Sequence, residues 1–157
     1  MMPLYKVLGY CGVIPFFVFT LGLYFFDAAI GKYFMAMQMF YASLIASFLA
    51  GIHWAHSFPA HREGQMLCAM IPTILSLLML GAGLVILFGG LLMMIPSKIL
   101  LSAFFLIYAL MFITIYIFDW QWLDQTKLPE DYILFRLQIT IIVSGLLFLS
   151  FGGIWLH

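Results

Sequence analysis

The chain has 157 residues, 66% of them hydrophobic and 8% charged, whereas soluble domains carry roughly a quarter charged residues; a water-soluble fold could not hide that much apolar surface. Six Lys and Arg balance six Asp and Glu, which excludes the clustered basic footprint of a nucleic-acid-binding protein. Mean hydropathy is +1.18, and the apolar residues come in long runs with short polar breaks, so bilayer hydrocarbon replaces water as the solvent for most side chains.

Charged residues partition the sequence into intervals that can each cross about 30 Å of hydrocarbon at about 1.5 Å per helical residue. They predict an all-α polytopic bundle of five transmembrane helices in a single domain over residues 1–157, with spans near 7–26, 34–55, 66–88, 98–118 and 136–156. The first apolar run, Val7 to Phe26, is too long for the hydrophobic region of a secretory signal and no A-x-A site follows it, so it counts as a span. Span two carries Ser43, Ser47 and Gly51 at every fourth position, flanked by Ala42, Ala46 and Ala50. Small residues let helix backbones approach in lipid, where no hydrophobic effect drives association, so this helix is the expected bundle centre.

Pro15 and Pro72 lie inside spans one and three, where each removes a helical hydrogen bond and frees the carbonyl four residues earlier, at Cys11 and Cys68. Such kinks either open a cavity between helices or are tolerated as bends. The two cysteines read as packing residues. After span three, Gly89-Gly90 and Pro96 predict an apolar turn at the interface. The stretch from Asp119 to Phe135 is the most polar, yet its Trp120, Trp122 and Tyr132 favour the headgroup zone, so it is expected to lie along the membrane surface. Five spans put Lys6, Arg62, Lys127 and Arg136 on one side against Lys32 and Lys98 on the other, which favours a cytoplasmic N-terminus.

The polar residues nearest the hydrocarbon gather at one end: His53 and His56 closing span two, Asp119 closing span four and Arg136 opening span five. Asp119 and Arg136 are the expected charged pair, because an unpaired charge near hydrocarbon costs several kcal/mol. Thr140 and Ser144 continue the Arg136 face and give span five an inward polar stripe. This cluster reads either as a structural clamp or as a polar pocket. His53 and His56, with His61 and Glu63 in the next loop, have a spacing that could share a metal, but histidines near helix ends more often bond to carbonyls or headgroups, and no metal site is assigned. No nucleophile with a base, phosphate loop or metalloprotease motif is recognisable, so no catalytic residue is assigned.

Several segments together carry a family resemblance: Gly9 through Phe16, Ala46 through Ala55, then Pro72, Asp119, Leu128-Pro129, Tyr132, Arg136 and Thr140. The chain resembles an uncharacterised family of small five-span bacterial inner-membrane proteins with a relative in the mitochondrial inner membrane. It departs from the family pattern at Ala50 and Ala55, where glycine is usual, at Asp131, where tryptophan is usual, and in lacking a tryptophan soon after Pro72. The resemblance implies the membrane, the span count and marked positions at Pro15, Ser47, His53, Trp54, Pro72, Asp119 and Arg136. It implies no reaction and no cofactor.

The leading expectation is an accessory or assembly protein of another inner-membrane complex, a respiratory one among the candidates, with membrane lipid and other integral subunits as partners. The second is a binder or carrier of a lipid, quinone or porphyrin, with a pocket lined by the kinked spans one and three and by His53, Asp119 and Arg136. An enzyme acting on a lipophilic substrate, with a histidine as general base, ranks third.

Overall fold

The computed structural model describes residues 3–57, 63–88, 97–123 and 128–156. Five long apolar helices form a bundle: α1 (Leu4–Phe25), α2 (Ala28–Ser57), α3 (Glu63–Phe88), α4 (Ser97–Trp122) and α5 (Tyr132–Gly153), the last closed by a short 3₁₀ turn at Ile154–Leu156. Each is long and apolar enough to cross a membrane. All five outrun the hydrophobic intervals of the sequence at one end or both. Charged and aromatic residues continue each helix into the headgroup zone, where helical hydrogen bonds still spare the backbone from desolvation.

The helices form a ring. α1 packs beside α2 and α5, and α3 beside α2 and α4, while α2 and α4 also touch across the middle and α4 packs on α5. Cross-helix pairs fix the directions. Tyr5, Tyr10 and Thr20 of α1 meet Asp131, Gln138 and Ser150 in turn, so α1 and α5 run parallel. Asp119 meets Arg136, and Ala109 meets Ser144, so α4 and α5 are antiparallel.

The core is aromatic and aliphatic. Phe16, Leu23, Met39, Phe105, Tyr108 and Leu147 have no exposed surface. The small-residue surface of α2 divides into two faces. Ala42 and Ala46 are buried in the core, whereas Ser47, Ala50 and Gly51 border an outer groove shared with α3. The bundle centre is therefore built by α2 together with α4, whose Phe105, Tyr108, Phe112 and Ile115 belong to the same core cluster as those two alanines. Cys11 is exposed and Cys68 half-buried, so Cys11 is not the packing residue its apolar run suggests; it points outward, where thiol and lipid are both weakly polar. The turn expected at Gly89-Gly90 and Pro96 lies outside the described residues.

Two groups of polar side chains inside the bundle are tied together by hydrogen bonds. Gln38, with no exposed surface, donates from Nε2 to Thr20 Oγ1 at 3.1 Å, and Ser150 Oγ donates to Gln38 Oε1 at 3.0 Å. Tyr108 Oη stands 2.7 Å from Ser43 Oγ, and both hydroxyls reach the carbonyl of Ser76. These two networks join α1, α2 and α5, and α2, α3 and α4. In lipid such bonds replace the water that would otherwise satisfy the groups.

Candidate functional site: a buried charge cluster beside an apolar cavity

His53, Asp119 and Arg136 come together from α2, α4 and α5, exposed by only 2%, 0% and 7%. Arg136 donates from Nε to Asp119 Oδ2 at 2.8 Å and from Nη2 to the same oxygen. His53 Nε2 stands 2.9 Å from the other oxygen, Oδ1. That approach is close but not in line: neither imidazole nitrogen nor Oδ1 has an aligned hydrogen-bond partner. The rings of Phe118 and Trp122 stack at 4.7 Å and both meet His53 edge-on, at 6.4 and 6.3 Å. The cluster is thus walled by aromatic carbon, and its charges are felt at low effective dielectric.

Helix geometry explains the meeting. Asp119 lies one turn before the end of α4, and Arg136 one turn into α5. The antiparallel hairpin brings the two to one level, so the surface-lying link expected between them begins and ends in helix. Thr140, one turn below Arg136, is buried, and Ser144 Oγ bonds to the Ala109 carbonyl at 3.3 Å.

Arg136 also forms part of the wall of a cavity of about 330 Å³ between α1, α2 and α5. Tyr5, Tyr132 and Arg136 mark its polar end, and the remainder is apolar, reaching Phe16 on α1 and Val143 on α5. Val143 is seven residues beyond Arg136, about 10 Å along the helix. Glycines shape the α1 wall. A Cβ at Gly9 would run into the Phe135 ring, whereas one at Gly12 would meet only Tyr41 Oη, at 3.8 Å.

At the cavity's polar end the first turn of α1 is fastened to the start of α5. Tyr5 Oη donates to Asp131 Oδ1 at 2.6 Å, and Lys6 pairs with Asp131 Oδ2. The Lys6 ammonium, followed by the Tyr5 hydroxyl, holds the Asp131 carboxyl below the usual carboxylate range.

The other residues singled out in the sequence lie elsewhere. Ser47 and Trp54 border the outer groove between α2 and α3, not the cavity. Pro72 and Cys68 line a separate groove between α3 and α4. Pro15 is half-buried in α1, while Gly12, Val13 and Phe16 around it line the cavity. A pocket walled by spans one and three is therefore not what forms: α1 and α3 are not neighbours in the ring, and α2 and α5 supply the other walls. The side chain of His56, and all of His61, lie outside the described residues. Among the described residues no group of three or more His, Cys, Asp or Glu gathers as a metal site would require.

Tyr5, Gln38, Thr20 and Ser150 were not marked by sequence reading. Gln38 carried a usable signal, being an amide ten residues inside a span, where polar groups demand partners.

These features define a polytopic five-helix membrane protein with a buried His-Asp-Arg cluster against an apolar cavity. The chain belongs to the family described as protein of unknown function, DUF3429, whose model matches residues 1–152. No curated protein and no solved structure matches it.

Proposed function

We propose that this protein binds a small lipophilic molecule in the cavity between α1, α2 and α5. The observation that carries this reading is the cavity itself: about 330 Å³, apolar along its length, with one buried arginine at one end. Ligand sites combine these traits, a concave apolar lining with a few placed polar groups.

The test is retention. The protein is extracted from its native membrane into lipid nanodiscs and its bound small molecules are measured by mass spectrometry, alongside a Gly12→Leu variant. The leucine has room to begin at Cβ, 3.8 Å from Tyr41 Oη, and is expected to take up space in the cavity, whose wall includes Gly12. Wild type is expected to retain a molecule that the variant loses. Equal content in both would overturn the reading.

A second reading, an accessory or assembly protein of an inner-membrane complex, is favoured by the outer groove, where Ser47, Ala50 and Gly51 of α2 face Ala69 and Thr73 of α3. Small residues on a lipid-facing surface suit close approach by a helix of another subunit. Photo-crosslinking from Gly51 in native membranes is expected to capture one integral protein; capture of lipid alone counts against this reading.

The location is a bacterial inner membrane with a cytoplasmic N-terminus, on the family resemblance and the excess of basic residues at that end. A C-terminal reporter active only outside the cytoplasm is the expected result.

A further inference from the structure

Which lipophilic molecule the cavity holds follows from charge balance at its polar end, given the reading above that it holds one. Arg136 brings one positive charge to the wall, but its Nε and Nη2 are both bonded to Asp119, whose side chain is 1% exposed. The Arg136 and Asp119 side chains together sum to zero. Among the described residues, Lys6 and Asp131 at the same end also form a pair. A ligand carrying a carboxylate or phosphate would leave a net buried negative charge behind aromatic and aliphatic walls, which costs several kcal/mol. A ligand with an uncharged acceptor meets no such cost and still receives hydrogen bonds, since a guanidinium has five N–H donors, of which Asp119 takes two, and Tyr132 adds its hydroxyl, whereas the Tyr5 hydroxyl is already given to Asp131.

The cavity's size adds a second limit. Its volume of about 330 Å³ is near the lower bound of roughly 300 to 1,000 Å³ for ligand pockets, and Phe16, Leu49 and Val143 are among its apolar lining. That volume suits one chain rather than two acyl chains or a large macrocycle.

We propose that the cavity selects an uncharged, single-chain amphiphile whose polar end is a carbonyl group, of the ester, ketone or quinone class, seated at Arg136 and Tyr132, and that Asp119 sets this choice by cancelling the arginine's charge. Asp119 acts through Arg136 and is a positioning residue.

The experiment compares methyl dodecanoate with dodecanoate, which share one chain and differ in headgroup charge, for binding to the full chain in zwitterionic nanodiscs at pH 8. Wild type is expected to prefer the ester by about tenfold or more, as a buried charge penalty of this size requires. In Asp119→Asn the arginine's charge is uncancelled, and the carboxylate becomes the tighter ligand. In His53→Gln, which fixes that position as neutral, the ester preference persists. Carboxylate binding to wild type as tight as the ester's overturns the proposal, as does an Asp119→Asn variant with an unchanged ratio. Should Asp119→Asn fail to fold, Asp119→Ser takes its place as the uncharged variant, with the same expected reversal, and an unchanged ratio in it overturns the proposal. If neither probe binds although Gly12→Leu strips a retained native molecule, the headgroup assignment falls and the binding function stands. If neither binds and Gly12→Leu strips nothing, both fall.

Discussion

Arg136 and Asp119 lie 17 residues apart in sequence, on different helices, and meet through two nitrogens on a single carboxylate oxygen. Among the described residues Oδ1 faces His53 Nε2 at 2.9 Å, close but not aligned for a hydrogen bond, so the Arg136–Asp119 pair is what holds the cluster. Arg136→Gln strands a buried carboxylate, and breaking such a pair costs about 3–5 kcal/mol. The double variant Asp119→Asn with Arg136→Gln replaces both charges by amides and is expected to recover most of that loss. Denaturant unfolding of wild type, both single variants and the double variant in mixed micelles measures the coupling; additive losses would show that the two charges do not act as a pair.

The Gln38 amide bonds to both Thr20 and Ser150 and so ties α2 to α1 and α5. Interhelical hydrogen bonds in membrane proteins average about 0.6 kcal/mol and reach about 1.7. Ser150→Ala is expected to fall within that range, and Gln38→Leu at its upper end, since it breaks the network at its middle member. Unfolding midpoints under the same conditions give the comparison.

Asp131 predicts a pH-dependent fastening of the cavity's polar end. Its folded pKa is below the ordinary carboxylate value of about 3.9, so its contribution is fully present above the unfolded value and is lost as pH falls through the folded one. Hydrogen-exchange protection in the first turns of α1 and α5, the observed rate divided into the unstructured rate at the same pH, is expected to fall only as the medium is acidified below pH 4. In Asp131→Asn that protection is expected to be low and to show no step below pH 4.

Glycines separate by what stands opposite them. A Cβ at Gly22 of α1 would overlap the ring of Phe34 on α2, and a rigid ring cannot yield as a flexible chain end can. Gly22→Ala is expected to destabilise by about 1–3 kcal/mol through overpacking. Gly51→Ala meets nothing within 4 Å and is expected to be neutral or to stabilise by up to about 1 kcal/mol, the helix-propensity gain. Thermal unfolding of the two variants side by side tests the difference.

Sequence alone determined the solvent, the helical class and the number of helices, because a polypeptide in hydrocarbon must satisfy its backbone internally and apolar runs of fixed length leave no other solution. It also picked out Asp119 and Arg136, since charges that costly near lipid have few places to go. The limits of each helix were less legible: Trp120, Trp122 and Tyr132 mark an interface without saying whether the chain there is helical. Which helices wall the cavity was decided only by tertiary structure, because neighbour order in the ring depends on lateral packing of faces that all look alike to hydropathy. Thus α1, α2 and α5 enclose space, and Gly12 opens it. Ser47 and Trp54, which the family resemblance marked together with His53, border a groove on the other side of α2. A charge declares its need in one dimension, whereas a void is a relation among three helices.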